Sequence, residues 1–122
     1  MKTVKITTDN QIRIVDIDFE NIRAIQREVG GYIEAVYTTT IREYFQRIGV
    51  DEKTILLVDE EGRIKELPRN LFGSILYPGY ICGDVLLAKV VGEDIVGVDA
   101  PGLVEKRLLE DFKFLRRDDE KE

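Results

Sequence analysis

The chain has 122 residues, 43% of them hydrophobic, which is enough for one domain with a buried core. It contains no histidine and one cysteine, which excludes Ser-His-Asp and Cys-His catalysis, mixed Cys/His zinc sites and an internal disulfide. The net charge is -6, but residues 118–122 alone carry -3, so the rest of the chain is nearly balanced and offers no basic surface for nucleic acid.

The class of protein follows from the same totals. No apolar run approaches membrane-spanning length, and the first residues lead into a strand rather than a signal peptide. With a single cysteine, the expected compartment is a reducing cytoplasm, and the 34% of charged residues resembles the composition of thermophile proteins. We expect one globular domain over residues 1–115 and a charged, disordered tail over residues 116–122.

The N-terminal third predicts a hairpin, a helix and a strand. Residues 2–17 contain two alternating runs around an Asp-Asn turn, the pattern of a β-hairpin. Asp18 is a good N-cap for a helix over residues 19–29, which ends at Gly30, and residues 32–37 alternate again as a strand. The core-facing stripe of this helix is formed by Ile22, Ile25 and Val29.

Two further helices are predicted from capping and spacing. Capping-box spacing at Thr40 precedes a helical stripe that ends at Gly49. The last helix begins near Pro101, which suits a first helical turn. The stripe of the first of these helices comprises Ile41, Tyr44, Phe45 and Ile48, and that of the second comprises Val104, Leu108, Phe112 and Leu115.

The stretch between these helices predicts most of the sheet. Residues 55–58 and 63–67 favour a hairpin around a turn that ends at Gly62. Residues 84–91 are apolar on both faces, which is typical of a central strand, and residues 95–98 follow as a hairpin partner that offers an edge for self-association. The predicted fold class is α+β: a mixed, mostly antiparallel sheet packed by two to three helices.

Acidic turn residues and the lone thiol are the first candidate sites. Asp59, Glu60 and Glu61 would suit a divalent cation, but no further oxygen ligands follow at fixed spacing, so solvated residues at a turn tip are favoured. Cys82, in an apolar stretch, is favoured as a small buried hydrophobe over a nucleophile. We therefore predict no metal site, no cofactor and no catalytic residue.

Three segments resemble one family of small proteins. They are residues 29–34 (Val-Gly-Gly-Tyr-Ile-Glu), residues 58–70 with the pattern Gly-x-x-Lys-x-Leu-Pro-x-Asn, and residues 81–85. Over residues 4–98 the chain resembles the family catalogued as domain of unknown function 3846, and it departs from that pattern at residues 38–53 and at its C-terminus. The resemblance implies occurrence in prokaryotes, phages and plasmids, with no established activity.

The best candidate surface joins glycines and polar residues of these segments. Backbone amides near paired glycines can cradle an anion, although glycines that follow a helix favour a C-cap. Asn70 is also a candidate cap for the segment after it, and Tyr77 and Tyr80 suit either an aromatic lid or two loop anchors. The predicted ligand-binding residues are Gly30, Gly31, Glu34, Lys65, Arg69 and Asn70.

We expect from this sequence a non-catalytic accessory domain, in a phage or plasmid setting, that binds a protein partner or a small anionic ligand. The alternatives are an anti-defence or anti-restriction protein and a histidine-independent enzyme that uses Glu34 and Lys65 for acid-base chemistry. Membranes and nucleic acid are not expected as partners, and a homo-oligomer is left open.

Overall fold

A computed structural model describes residues 1–50, 53–77 and 80–116. The strands in this part of the chain are β1 Lys2–Ile6, β2 Ile12–Asp16, β3 Ile33–Val36, β4 Thr54–Asp59, β5 Val85–Val91 and β6 Asp94–Val96. They form one sheet in the order β2-β1-β5-β4-β3, and β6 pairs with the C-terminal half of β5. Every described strand pair is antiparallel, so the sheet is more uniform than the mixed sheet that the sequence predicts.

Helices cover both faces of this sheet. They are α1 Ile22–Val29, α2 Thr39–Arg47, α3 Leu71–Leu76 and α4 Pro101–Asp111, followed by a 3-10 helix at Lys113–Arg116. Helix α1 packs on one face, and α2, α3 and α4 pack on the other, so the predicted α+β class is confirmed.

Strand β5 shows why both faces need a cover. Its residues Val85 and Leu87 point into the core under α2, α3 and α4, whereas Leu86 and Ala88 point into the core under α1. All four side chains are fully buried. The prediction of a central strand, read from an apolar run without alternation, is confirmed.

The N-terminal hairpin is confirmed, and the helix after it starts later than predicted. Strands β1 and β2 pair in register, and Asn10 adopts the positive φ of 65° that their tight turn needs. Asn21, rather than Asp18, caps α1, because its side-chain oxygen accepts from Arg23 N and Ala24 N. Asp18 instead closes a turn just before the helix.

The core-facing stripes of the helices mostly agree with the periodicity. Ile22 is 55% exposed, because it lies at the very start of α1, so only two residues of that stripe are buried. Helix α2 is capped by Thr38 rather than Thr40, yet its four stripe residues are all buried. In α4 the predicted start at Pro101 is confirmed, and the buried stripe residues are Val104, Leu108 and Phe112.

The hairpin predicted over residues 55–67 is wrong in its second half. Strand β4 forms, but both of its edges are taken by β3 and β5, and all six of its residues are buried. No edge remains for an adjoining strand, so residues 63–67 coil into consecutive turns, in which Lys65 N donates to Glu61 O and Leu67 N donates to Gly62 O. Strand β6, the hairpin partner predicted to offer an edge for self-association, pairs with β5 alone among the described strands, and self-association stays a prediction.

Two predicted features fall partly or wholly on residues without a described placement. Pro78 and Gly79, a residue pair whose sequence predicts a turn, lie outside the described residues, as do residues 117–122 of the predicted tail. The first residue of that tail, Arg116, closes the 3-10 helix.

We expect Tyr44→Phe to lower the free energy of unfolding by about 1 kcal/mol near neutral pH, because the buried Tyr44 hydroxyl donates to Asp111 Oδ2 at 2.9 Å. Burial, and next the hydrogen bond to Asp111, raise the pKa of Tyr44. The unfolded phenol therefore ionises first, so this contribution to stability is complete below about pH 10 and is lost as the pH rises above it.

Urea unfolding in neutral and in strongly alkaline buffer checks this, with Tyr32→Phe at an exposed tyrosine as the control for loss of a phenol. The variant Tyr44→Phe should lose less stability between the two buffers than the wild type does. If Tyr44→Phe loses as much stability in alkaline buffer as the wild type does, a group other than Tyr44 causes that loss.

Candidate functional site

A groove of about 380 Å³ lies beside β3, and we call it the β3 groove. Its lining comes from β3, β4, the turn after β4 and the segment around residue 80. The apolar part includes the buried side chains of Val58, Ile81 and Cys82, and the half-buried Val36 and Tyr77. Its size and apolar lining are those of a small ligand site or of a cleft for a short peptide.

Two carboxylates line this groove and face solvent. Glu34 lies in β3 directly opposite Val58 of β4, on the same sheet face as Val36, and Glu60 follows the end of β4. Both residues are exposed, and within the described part of the chain neither carboxylate forms an ion pair or a hydrogen bond. The groove therefore offers two carboxylates that no described cation contacts.

The cations near the groove are already engaged. Arg63 Nε and Nη2 both donate to the carbonyl oxygen of Tyr80, at 2.9 and 2.7 Å. The guanidinium carbons of Arg63 and Arg69 lie 4.9 and 4.8 Å from the centre of the Tyr80 ring, within the range of a cation–π contact. These contacts hold the two guanidinium groups against Tyr80, while a carbonyl and a ring leave their positive charge in place.

Lys65 forms an ion pair with a buried acid. Its Nζ lies 2.7 Å from Asp59 Oδ2 and 3.4 Å from Gly30 O, and the Asp59 side chain is fully buried. A Cβ on Gly31 would lie 2.5 Å from Lys65 Nζ, so a side chain there would displace the end of the lysine from its present position. The hydrogen bond to Asp59 is the main cause that raises the pKa of Lys65, which keeps the amine protonated.

The paired glycines form the C-terminal cap of α1. Gly30 adopts φ 104°, the left-handed conformation, and the amides of Gly30 and Gly31 both donate to Gln26 O. The C-cap interpretation is confirmed, and neither amide remains to cradle an anion.

Asn70 is fully buried beneath α3 and caps it. Its Oδ1 accepts from Gly73 N at 2.8 Å, and its Nδ2 donates to Ile6 O at 3.0 Å and to Gly83 O at 3.1 Å. The capping interpretation of Asn70 is confirmed, and the segment that follows, too short to predict a helix clearly, forms one. All polar atoms of this side chain are used inside the protein.

The six residues predicted as ligand-binding therefore divide into separate places. Gly30, Gly31 and Lys65 meet at the end of α1, whereas Glu34 lines the β3 groove. Arg69 packs on Tyr80 at the wall of the groove, and Asn70 is buried as described above.

The sequence argument missed Asp59, whose predicted place at a solvated turn tip is wrong. Asp59 is the last residue of a wholly buried strand, and Lys65 and Glu61 N satisfy its carboxylate. The signal in the sequence was an apolar run, residues 55–58, that ends in Asp59 and is followed by a lysine, Lys65, just after the Gly62 turn. Cys82 is buried, as predicted.

Fold and groove define a small antiparallel α+β domain. The family model described as domain of unknown function (DUF3846) matches residues 1–112, so the chain belongs to that family and the resemblance is confirmed. Comparison with curated proteins and with solved structures finds no match.

The described part of the chain has neither a metal-ligating cluster nor a membrane-spanning helix. Among the described residues, no group of three acidic or cysteine side chains is placed to hold a metal ion. None of the helices in this part of the chain has the length and apolar character to cross a bilayer.

Proposed function

We propose that this domain is a non-catalytic binding module that holds a positively charged segment of a protein partner in the β3 groove. One observation carries the proposal: no described cation contacts Glu34 or Glu60, and most of the other residues that line the groove are apolar. Complementary charge on a partner would supply the missing cations, and the apolar lining would supply buried area.

The charges near the groove favour this partner over a small anionic ligand. The nearby cations Lys65, Arg63 and Arg69 are engaged by Asp59 and by Tyr80. An anion would have to compete with Asp59 for Lys65, and in the groove it would meet the carboxylates of Glu34 and Glu60.

Acid-base catalysis by Glu34 and Lys65 has weaker support. Lys65 could accept a proton as a general base only when its amine is unprotonated, whereas the hydrogen bond to Asp59 raises its pKa and favours the protonated form. The setting that we propose is the one that the family resemblance implied, namely phages, plasmids and their hosts.

Selection from a library of random peptides tests the proposal. We expect the wild-type domain to enrich peptides with Lys or Arg, and Glu34→Lys to weaken the binding of those peptides by about tenfold or more, because attraction becomes repulsion. Glu43→Lys is the matched control, since Glu43 is also exposed, changes the net charge equally and lies on α2 away from the groove lining.

Selected peptides without enrichment of basic residues would contradict the proposal. So would equal binding by Glu34→Lys and Glu43→Lys. Circular dichroism of both variants checks that the substituted domains are folded, so that a loss of binding is a property of the groove.

A further inference from the structure

Strand β3 has an open edge whose hydrogen-bonding groups can be assigned. It lies at the end of the sheet and, among the described strands, pairs with β4 alone. Tyr32 O accepts from Glu60 N at 2.9 Å, which marks that pair as a hydrogen-bonded one. Because such pairs alternate along an antiparallel ladder, Glu34 and Val36 also face β4, and the N–H and C=O groups of Ile33 and Ala35 face outward.

These outward groups are accessible. Ala35 is exposed and Ile33 is half-buried, and no described residue forms a hydrogen bond with the outward amide of either. Exposed aromatic residues flank the strand, with Tyr32 65% and Tyr37 49% exposed. Unpaired edge groups beside exposed apolar side chains are typical of an edge that adds a strand from another chain.

The edge adjoins the β3 groove. A second, shallow depression follows β3 through residues 34–38, and it shares Glu34, Val36 and Tyr77 with the β3 groove. A segment laid along the edge of β3 would therefore place every second side chain next to the groove.

We infer that the partner binds as an additional β-strand on the edge of β3, through main-chain hydrogen bonds to Ile33 and Ala35. The inference rests on the proposed function and specifies its ligand. The partner is an extended segment with Lys or Arg opposite Glu34 and, two residues away, a large apolar side chain opposite Val36 and against Tyr77.

A second copy of this chain fits the edge less well. Two β3 strands paired about Ala35 would set each Glu34 opposite Val36 of the other copy, with both Glu34 carboxylates on the same face of the joined sheet. A second copy would bring another carboxylate close to Glu34, whereas a basic segment would bring a cation that neutralises Glu34.

Two capped heptapeptides are the probes, one with Lys two residues before Leu and one with the reverse order, with Thr at the other positions. We expect one of them to bind with a Kd below about 1 mM, and to protect the Ile33 and Ala35 amides from hydrogen exchange. The better order gives the strand direction. N-methylation along that peptide should weaken binding about tenfold at alternate positions only, because alternate amides face β3.

Ala35→Pro is the matching variant of the domain. It deletes an N–H that faces away from β4, so the β3–β4 ladder keeps its bonds, and we expect peptide binding to weaken about tenfold. Ala35→Val keeps this N–H and serves as the control. The N-methylation series does not depend on whether Ala35→Pro folds.

Each outcome decides one claim. Binding that is sensitive to Glu34→Lys but indifferent to N-methylation at every position overturns strand addition and leaves the proposed groove function standing. Absence of binding by both peptides also overturns strand addition by a basic segment. A dimer of the free domain that Ala35→Pro abolishes in sedimentation shows that a second copy, and not a basic partner segment, occupies the edge. The library selection above tests the groove function separately.

Discussion

Asn70→Ala is expected to lower the free energy of unfolding by about 3–5 kcal/mol, the largest effect of any substitution considered for this domain. The change removes the cap of α3 at Gly73 N and leaves the carbonyls of Ile6 and Gly83 without their donor. All of these groups are buried with Asn70, where an unpaired polar group has no access to water.

Urea unfolding with two comparison variants separates these contributions. Asn21→Ala removes an exposed cap, that of α1, and should cost about 1 kcal/mol. Asn70→Asp keeps an acceptor for Gly73 N but not the donor to the two carbonyls, and it should be nearly as destabilising as Asn70→Ala. If Asn70→Ala costs no more than Asn21→Ala, the buried network does not stabilise the fold as described.

Gly62→Ala should be the second most damaging substitution, at about 2–3 kcal/mol. The position is buried, and an added Cβ would overlap the main-chain carbonyl oxygen of Cys82, so the backbone itself has to move. The movement also displaces Ile81 and Cys82 in the lining of the β3 groove, and we expect peptide binding to weaken together with stability.

Gly102→Ala is the matched control for that measurement. It places the same methyl group in α4, where no atom lies within 4 Å, and alanine is the better helix former, so we expect a gain of about 0.5 kcal/mol. Unfolding curves and peptide titrations of both variants check the pair. Wild-type stability and binding in Gly62→Ala would show that the chain relaxes around Cys82 without loss.

Periodicity predicted the elements whose signal is local. The apolar run of β5 and the four-residue stripe of α2 each predict the type of element and its buried side from its own residues. No information about a neighbouring element is needed for these two predictions. Which strands pair with each other, in contrast, depends on residues far apart in the chain. The turn residues after β4 are those of a hairpin, yet β3 and β5 had already filled both edges of β4, which no local pattern records.

The candidate site shows the same division. The family pattern drew attention to Gly31 and Lys65, and the fold brings them together. It does not reveal that Asp59 neutralises Lys65 or that Tyr80 engages Arg69, because both contacts depend on how the turns after β4 fold back. The free charge of Glu34 is visible only once these pairs are known.

The position of β5 at the centre of the sheet affects how the domain folds during its synthesis. Thr3 donates to the carbonyl of Leu87, 84 residues later, and β1 pairs with no described strand other than β2 and β5. While the ribosome is still translating the middle of the chain, the N-terminal hairpin thus exposes an unpaired inner strand. Folding has to wait for the distant strand, and chaperones have that interval in which to shield the nascent chain.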